Sequence, residues 1–107
     1  MPIVVLEYLT VSGHSPFREW LDGLSWEMLA RIQARIYRFE LGNMGDCKSL
    51  GKGLLEARFA FGPGYRVFFA YDGPETILLL TGGDKGSQKR DITTARKYLW
   101  DYRVREP

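Results

Sequence analysis

The sequence predicts an α+β fold: an N-terminal strand, a helical hairpin, a three-stranded antiparallel meander and a C-terminal helix. Three observations predict it. Met28, Leu29, Ile32, Ile36 and Phe39 recur at three- and four-residue steps, the period of a helix with one buried face. Leu55, Ala57, Phe59 and Phe61 alternate with Glu56 and Arg58, the period of a strand. The unbroken apolar run Ile77-Leu78-Leu79-Leu80 suits a strand inside a sheet and empties into a glycine turn ahead of a second helical stretch.

Ile3 to Tyr8 is apolar and rich in β-branched residues, as a first strand is. In His14-Ser15-Pro16, Ser15 suits a helix N-cap and Pro16 the first helical position. That helix runs through Phe17 and Trp20 to about Leu21, and Asp22-Gly23 breaks it. Leu24 or Ser25 opens the longer helix, Gly42 closes it, and Arg31, Arg35 and Arg38 fall on its wet face. A short link between two helices makes an antiparallel hairpin. Asn43 to Gly53 reads as a polar, glycine-rich loop that includes Cys47. Leu54–Phe61 and Tyr65–Tyr71 are strands around the turn Gly62-Pro63-Gly64, and Asp72-Gly73 turns the chain into Thr76–Thr81. Ile92, Ala95, Leu99 and Tyr102 then form the apolar stripe of the last helix. This order predicts an antiparallel meander with the helices on one face, in a single domain over 1–107.

Composition narrows the function classes. Of the 107 residues, 45% are hydrophobic and 26% charged, ordinary for a globular chain. No apolar run approaches the ~20 residues that span a bilayer, and the N-terminus lacks the basic-then-apolar pattern of a signal peptide. A single cysteine excludes an internal disulfide and a cysteine-based zinc cluster, so a reducing cytoplasm is expected. The net charge of +2 is polarised. Residues 1–47 carry four Lys/Arg against six Asp/Glu, whereas residues 48–107 carry eleven against seven. A basic excess over the sheet and its glycine turns favours an anionic partner; the alternative is an unevenly charged solvated surface.

The densest chemistry lies in Thr81-Gly82-Gly83-Asp84-Lys85-Gly86-Ser87-Gln88-Lys89-Arg90-Asp91. It places Lys85, Gln88, Lys89 and Arg90 at a helix mouth, where backbone N–H groups attract phosphate. Asp84 and Asp91 are the internal anions that compete for that role. Arg58 and Arg66 sit on consecutive strands joined by a short turn. If they share a face, two guanidinium groups repel unless an anion lies between them, and arginine grips phosphate through a rigid fork. Pairing with a carboxylate such as Glu56 is the alternative. Lys52, between Gly51 and Gly53, leads into the first of these strands. Tyr65 suits either base stacking or the core. Tyr98 and Tyr102 are ambiguous in the same way, and His14, the sole histidine, reads as a capping or surface residue.

Three segments carry a resemblance: Gly53-Leu54-Leu55-Glu56-Ala57-Arg58, Gly62-Pro63-Gly64-Tyr65-Arg66-Val67-Phe68-Phe69, and Leu79 through Ile92. Over nearly the whole chain the sequence resembles the RelE/ParE superfamily of type II toxin–antitoxin toxins, in the branch of addiction-module killer proteins related to HigB-like and phage Gp49-like toxins. The resemblance implies a cytoplasmic toxin that cuts mRNA on the ribosome, an mRNA interferase, by attack of the ribose 2′-OH and without metal or other cofactor. Carried across by motif, Arg58, Arg66 and Lys85 would stabilise the phosphate and Lys52 would orient or deprotonate the 2′-OH. Gln88, Lys89, Arg90 and Tyr65 would contact the RNA. The implied partners are a cognate helix-turn-helix antitoxin, mRNA and the ribosome, with DNA contacted only through the antitoxin complex. Two other readings stay open: a ParE-like toxin that binds DNA gyrase, and a non-toxic antitoxin-binding module.

Overall fold

The computed structural model of the chain describes residues 2–105. Strand β1 (Val4–Glu7) is followed by helices α1 (Pro16–Asp22) and α2 (Trp26–Glu40). Strands β2 (Cys47–Gly51), β3 (Leu54–Arg58), β4 (Arg66–Tyr71) and β5 (Thr76–Gly83) come next, and a short 3-10 turn (Lys85–Ser87) leads into α3 (Gln88–Arg105). The predicted class holds. Ser15 caps α1 by accepting from the Arg18 amide at 3.0 Å, with Pro16 at the first helical position. Its hydroxyl also donates to Glu7 Oε1 at 2.7 Å, while Arg18 holds the other Glu7 oxygen at 2.7 Å, which fastens α1 to β1. Ser25 caps α2.

The five strands run in the order β1-β5-β4-β3-β2, antiparallel except for the parallel pair β1–β5. Two expectations need correction. Residues 47–51 form an edge strand where a loop was expected, paired to β3 through Cys47 opposite Ala57 and Lys48 opposite Glu56. The helices also lie on both faces of the sheet. Phe17, Leu21, Ile32 and Phe39 from α1 and α2 pack on Ala57, Val67, Phe69, Ile77 and Leu79. Ala95 and Leu99 from α3 pack on Leu54, Phe68, Ala70, Leu78 and Leu80. With apolar residues of β3, β4 and β5 pointing to each side, both faces needed cover, and one helical layer cannot supply it.

A bulge in β5 re-aims the end of that strand. Phe69 pairs with Leu79 but Phe68 pairs with Thr81, so Leu80 is an extra residue. The pleat changes phase beyond it. Gly82 turns toward α1, where a Cβ would run into the Trp20 ring, and Gly83 turns toward α3, where a Cβ would strike Asp91 and Ser87.

The α3 layer carries a titratable anchor. Tyr8, buried and stacked on Tyr98 with centroids 4.9 Å apart, donates to Asp101 Oδ2 at 2.6 Å, and Arg105 donates to the same oxygen at 2.6 Å. Burial, then the Asp101 hydrogen bond, push the Tyr8 phenol from 10.0 up to about 12. A pKa raised by folding gives stability that is complete below the unfolded value and lost as pH rises from there to the folded one. Alkaline unfolding followed by circular dichroism should therefore show stability falling between about pH 10 and about pH 12, and Tyr8→Phe should remove that slope.

Candidate functional site

The strand register brings the two arginines together. Arg58 is the direct cross-strand partner of Arg66, and Arg66 in turn faces Gly83. Alternation along β3 and β4 puts Glu56, Arg58, Arg66 and Phe68 on the α3 face, beyond the point where α3 begins. Like charges directly opposed on a sheet are destabilising, so the pair needs counter-charge. The chain provides two carboxylates. Asp46 Oδ1 accepts from Arg58 Nη2 at 2.9 Å and Nε at 3.3 Å. Glu56, only 1% exposed, sets Oε1 3.3 Å from Arg66 Nε, too poorly aligned for a hydrogen bond, and accepts from Gln88 Nε2 at 2.5 Å. Arg66 Nη1 donates to the carbonyls of Gly64 (3.1 Å) and Tyr65 (3.2 Å), which locks the fork at the edge of the β3–β4 turn.

Lys85 joins this pair. Gly64 takes φ +78°, and a Cβ placed there would lie 3.3 Å from Lys85 Cβ and 3.6 Å from Arg66 Nη1. The absent side chain thus leaves the gap in which the lysine stem and the guanidinium approach each other. Arg58, Arg66 and Lys85 form one cationic rim around the β3–β4 turn and the start of α3.

The helix mouth is itself already satisfied. Asp84 accepts from the amides of Gly86 (2.8 Å) and Ser87 (3.2 Å), and the Ser87 hydroxyl donates to Asp91 Oδ2 at 2.5 Å. The chain's own carboxylate therefore occupies the amides expected to attract phosphate, and anion binding at this end falls to side chains. Lys89 and Arg90 stand exposed beside Lys85.

Two expected site residues are elsewhere. Lys52 occupies the β2–β3 turn in a left-handed conformation (φ +55°) and its carbonyl accepts from Arg103 at 3.3 Å, near the far end of α3. Six residues of extended chain separate it from Arg58, about 20 Å at 3.3 Å per residue. Tyr65 faces the α1 side, edge-on to Trp20 and to Phe61 at 6.0 Å each. Neighbours on a strand face opposite ways, so its place beside Arg66 in the sequence puts it on the other surface. Tyr98 stacks on Tyr8, and the Tyr102 hydroxyl donates to Asp72 at 2.6 Å. His14 lies 3.2 Å from Glu19 beside α1, on the opposite face of the sheet.

Arg35 is a residue that sequence reasoning misplaced. It is half-buried and not on a wet face. Its guanidinium lies over the Phe59 ring (4.6 Å) and donates to the carbonyls of Arg58, Met44 (3.3 Å) and Asp46 (2.6 Å). It staples the segment before β2 against the end of β3, which holds Asp46 beside Arg58. The Asp46 carboxyl is held below the usual carboxylate range, first by the Arg58 hydrogen bond, with Arg35 and Arg66 adding through space. Burial raises the neighbouring Cys47 thiol, which favours its uncharged form. Among the described residues no three His, Cys, Asp or Glu side chains are grouped to hold a metal, and no helix is long and apolar enough to cross a membrane.

The family model described as "Phage derived protein Gp49-like (DUF891)" matches residues 19–99, which include Arg58, Arg66, Lys85 and every carboxylate around them. A Haemophilus influenzae protein (strain ATCC 51907 / DSM 11121 / KW20 / Rd), described as an uncharacterized protein, is 42% identical over 81 residues, 75% of this chain and 82% of that protein.

Two substitutions test the counter-charges. Glu56→Ala should cost about 3 kcal/mol in urea unfolding, the lower end for a broken buried pair because Arg66 keeps some contact with water; a loss under about 1 kcal/mol would contradict the pairing. Asp46→Asn should tighten sulfate binding, followed through the Arg58 Nε–H resonance, because it removes the negative charge that competes for the guanidinium. Unchanged affinity would mean that Asp46 does not compete for that edge.

Proposed function

This chain belongs to the phage-derived Gp49-like family, and we propose that it is the toxin of a type II toxin–antitoxin pair, a ribosome-dependent endoribonuclease that cuts mRNA. The single observation that carries this reading is the direct opposition of Arg58 and Arg66 with Lys85 beside them. Two guanidinium groups and an ammonium form a ready receptor for a phosphodiester.

In this reaction the ribose 2′-oxygen bonds to the adjacent phosphorus and the bond from phosphorus to the 5′-oxygen breaks. The products are a 2′,3′-cyclic phosphate and a 5′-hydroxyl. The 2′-OH proton leaves to water, and the departing 5′-oxygen takes one up. Negative charge builds on the non-bridging oxygens in the crowded five-coordinate state. Fixed cations that gain contact as that charge develops lower the barrier, which is often the largest catalytic contribution. Arg66, locked by the Gly64 and Tyr65 carbonyls, would hold one phosphate oxygen, and Arg58 would grip a second as it exchanges Asp46 for substrate. Lys85 would add charge from the glycine turn. The partners of this reading are mRNA, the ribosome and a helix-turn-helix antitoxin.

One observation favours a second reading, a gyrase-binding toxin of the ParE type. Both arginines already meet carboxylates, and His14 lies on the opposite face, which leaves the rim without an imidazole for proton transfer.

Expression without antitoxin, followed by mapping of transcript 5′ ends, separates the two. The nuclease reading expects translation arrest and fresh 5′-hydroxyl ends paired with cyclic phosphates. Arg58→Ala or Arg66→Ala should cut the cleavage rate by about 10²- to 10³-fold with the fold retained, as loss of one charge-stabilising group does. Filamentous cells with intact transcripts would instead support the gyrase reading.

A further inference from the structure

A second surface continues from this rim. Lys89, Thr93, Lys97, Trp100 and Val104 recur at three- and four-residue steps along α3, which gathers them on the helix face turned away from the sheet, with Arg96 at the flank beside β2. Trp100 is 67% exposed and, among the described residues, makes no ring contact. A single exposed ring is ordinary on a protein surface, and Trp26 is more exposed still at 81%, so what sets Trp100 apart is its neighbours. Its surroundings are cationic. Thr93, Arg96 and Lys97 line one shallow depression with it, and Lys52, Arg96 and Arg103 another. Arg96 is braced by the carbonyls of Leu50 (2.7 Å) and Gly51 (3.2 Å), so it is a fixed charge. Asp101, the carboxylate at the edge of the first depression, is paired with the Arg105 guanidinium and accepts from the Tyr8 hydroxyl.

We propose that the outer face of α3 is a single-strand RNA track that leads from the Arg58–Arg66–Lys85 rim to a base-stacking platform at Trp100. The inference rests on the nuclease reading and assigns the path of its substrate. Eleven residues of helix separate Lys89 from Trp100, about 17 Å at 1.5 Å per residue. At the ~3.4 Å spacing of stacked nucleotides, that is about five nucleotides. Lys89, Arg96 and Lys97 meet the backbone along the way, and Trp100 takes a base on its open face, a contact that tolerates any sequence. Continuity along α3 favours RNA over an acidic protein segment: Lys85, Lys89 and Arg90 line one depression at the start of the helix, and Arg96, Lys97 and Trp100 line another further along it. A flat exposed ring also offers a stacking plane and not an enclosed apolar pocket.

The test measures binding by the full-length protein of 2′-O-methyl RNA oligonucleotides three and six nucleotides long, whose blocked 2′-oxygen cannot attack. Wild type should bind the six-mer more tightly than the three-mer. Trp100→Ala should weaken the six-mer by about tenfold, the scale of one lost stack, and leave the three-mer unchanged. Lys97→Ala should lower the slope of log affinity against log salt by about 0.7 for the six-mer, whereas Trp100→Ala should not. Both side chains are exposed, so the fold should survive, and circular dichroism checks that. An unchanged six-mer affinity in Trp100→Ala would overturn the track. If Arg66→Ala still weakens the three-mer in that case, the phosphate rim stands without the track. If wild type binds neither oligonucleotide, both fall. Tight binding of a Glu-rich peptide that is lost in Trp100→Ala, with six-mer affinity intact, would assign the face to a protein partner and overturn the proposal.

Discussion

Two arginines held side by side on one face of the sheet impose the constraint that orders this molecule. Arg58 and Arg66 are cross-strand partners, and their repulsion would fray the end of the β3–β4 hairpin if nothing opposed it. Asp46 and Glu56 oppose it in different ways. Asp46 is exposed, whereas Glu56 is buried and also accepts from Gln88, the first residue of α3. One arginine is therefore loosely held and the other rigidly. That asymmetry suits a site in which one cation is preset and its neighbour engages as charge appears.

The surrounding fold maintains this arrangement from three directions. Arg35 reaches across from α2 to staple the Asp46 segment to the end of β3. The bulge at Leu80 rotates the last turn of β5, so that Gly83 faces Arg66 and leaves room for Asp91 and Ser87 to shape the corner. Asp84 closes the amides of that corner and so sends Lys85 outward. The α3 axis then carries the same positive character away from the rim. The carboxylate that neutralises Arg66 also docks the beginning of α3 on the sheet.

Much of the fold was legible in local pattern. Ser15-Pro16, Ser25 and the three- and four-residue steps of α2 mark the helices because capping and amphipathicity are short-range properties. The alternation of β3 correctly put Arg58 opposite in sense to Ala57 and Phe59. Strand β2 was not legible, because an edge strand with polar Lys48 and Ser49 and a closing Gly51 carries little apolar alternation. The site was legible only in part. Arg58, Arg66 and Lys85 stand out as residue types, but their convergence depends on the β3–β4 register and on Gly64, both tertiary properties. Lys52 shows the opposite error: six residues of separation look close in sequence and become about 20 Å once the chain is a strand. Arg35 was hidden because its long stem lets a polar residue on a wet-looking stripe reach into the core.

The central claim is that Arg58 and Arg66 grip the same phosphate. A double-mutant cycle on these two residues, read as affinity for a dinucleotide whose 5′-side ribose is 2′-deoxy, tests it most directly. Shared grip predicts that removal of the second arginine costs much less than removal of the first, with a coupling of about 1 kcal/mol or more. Strictly additive losses, within about 0.3 kcal/mol, would mean that the two cations act at separate places and would contradict the account.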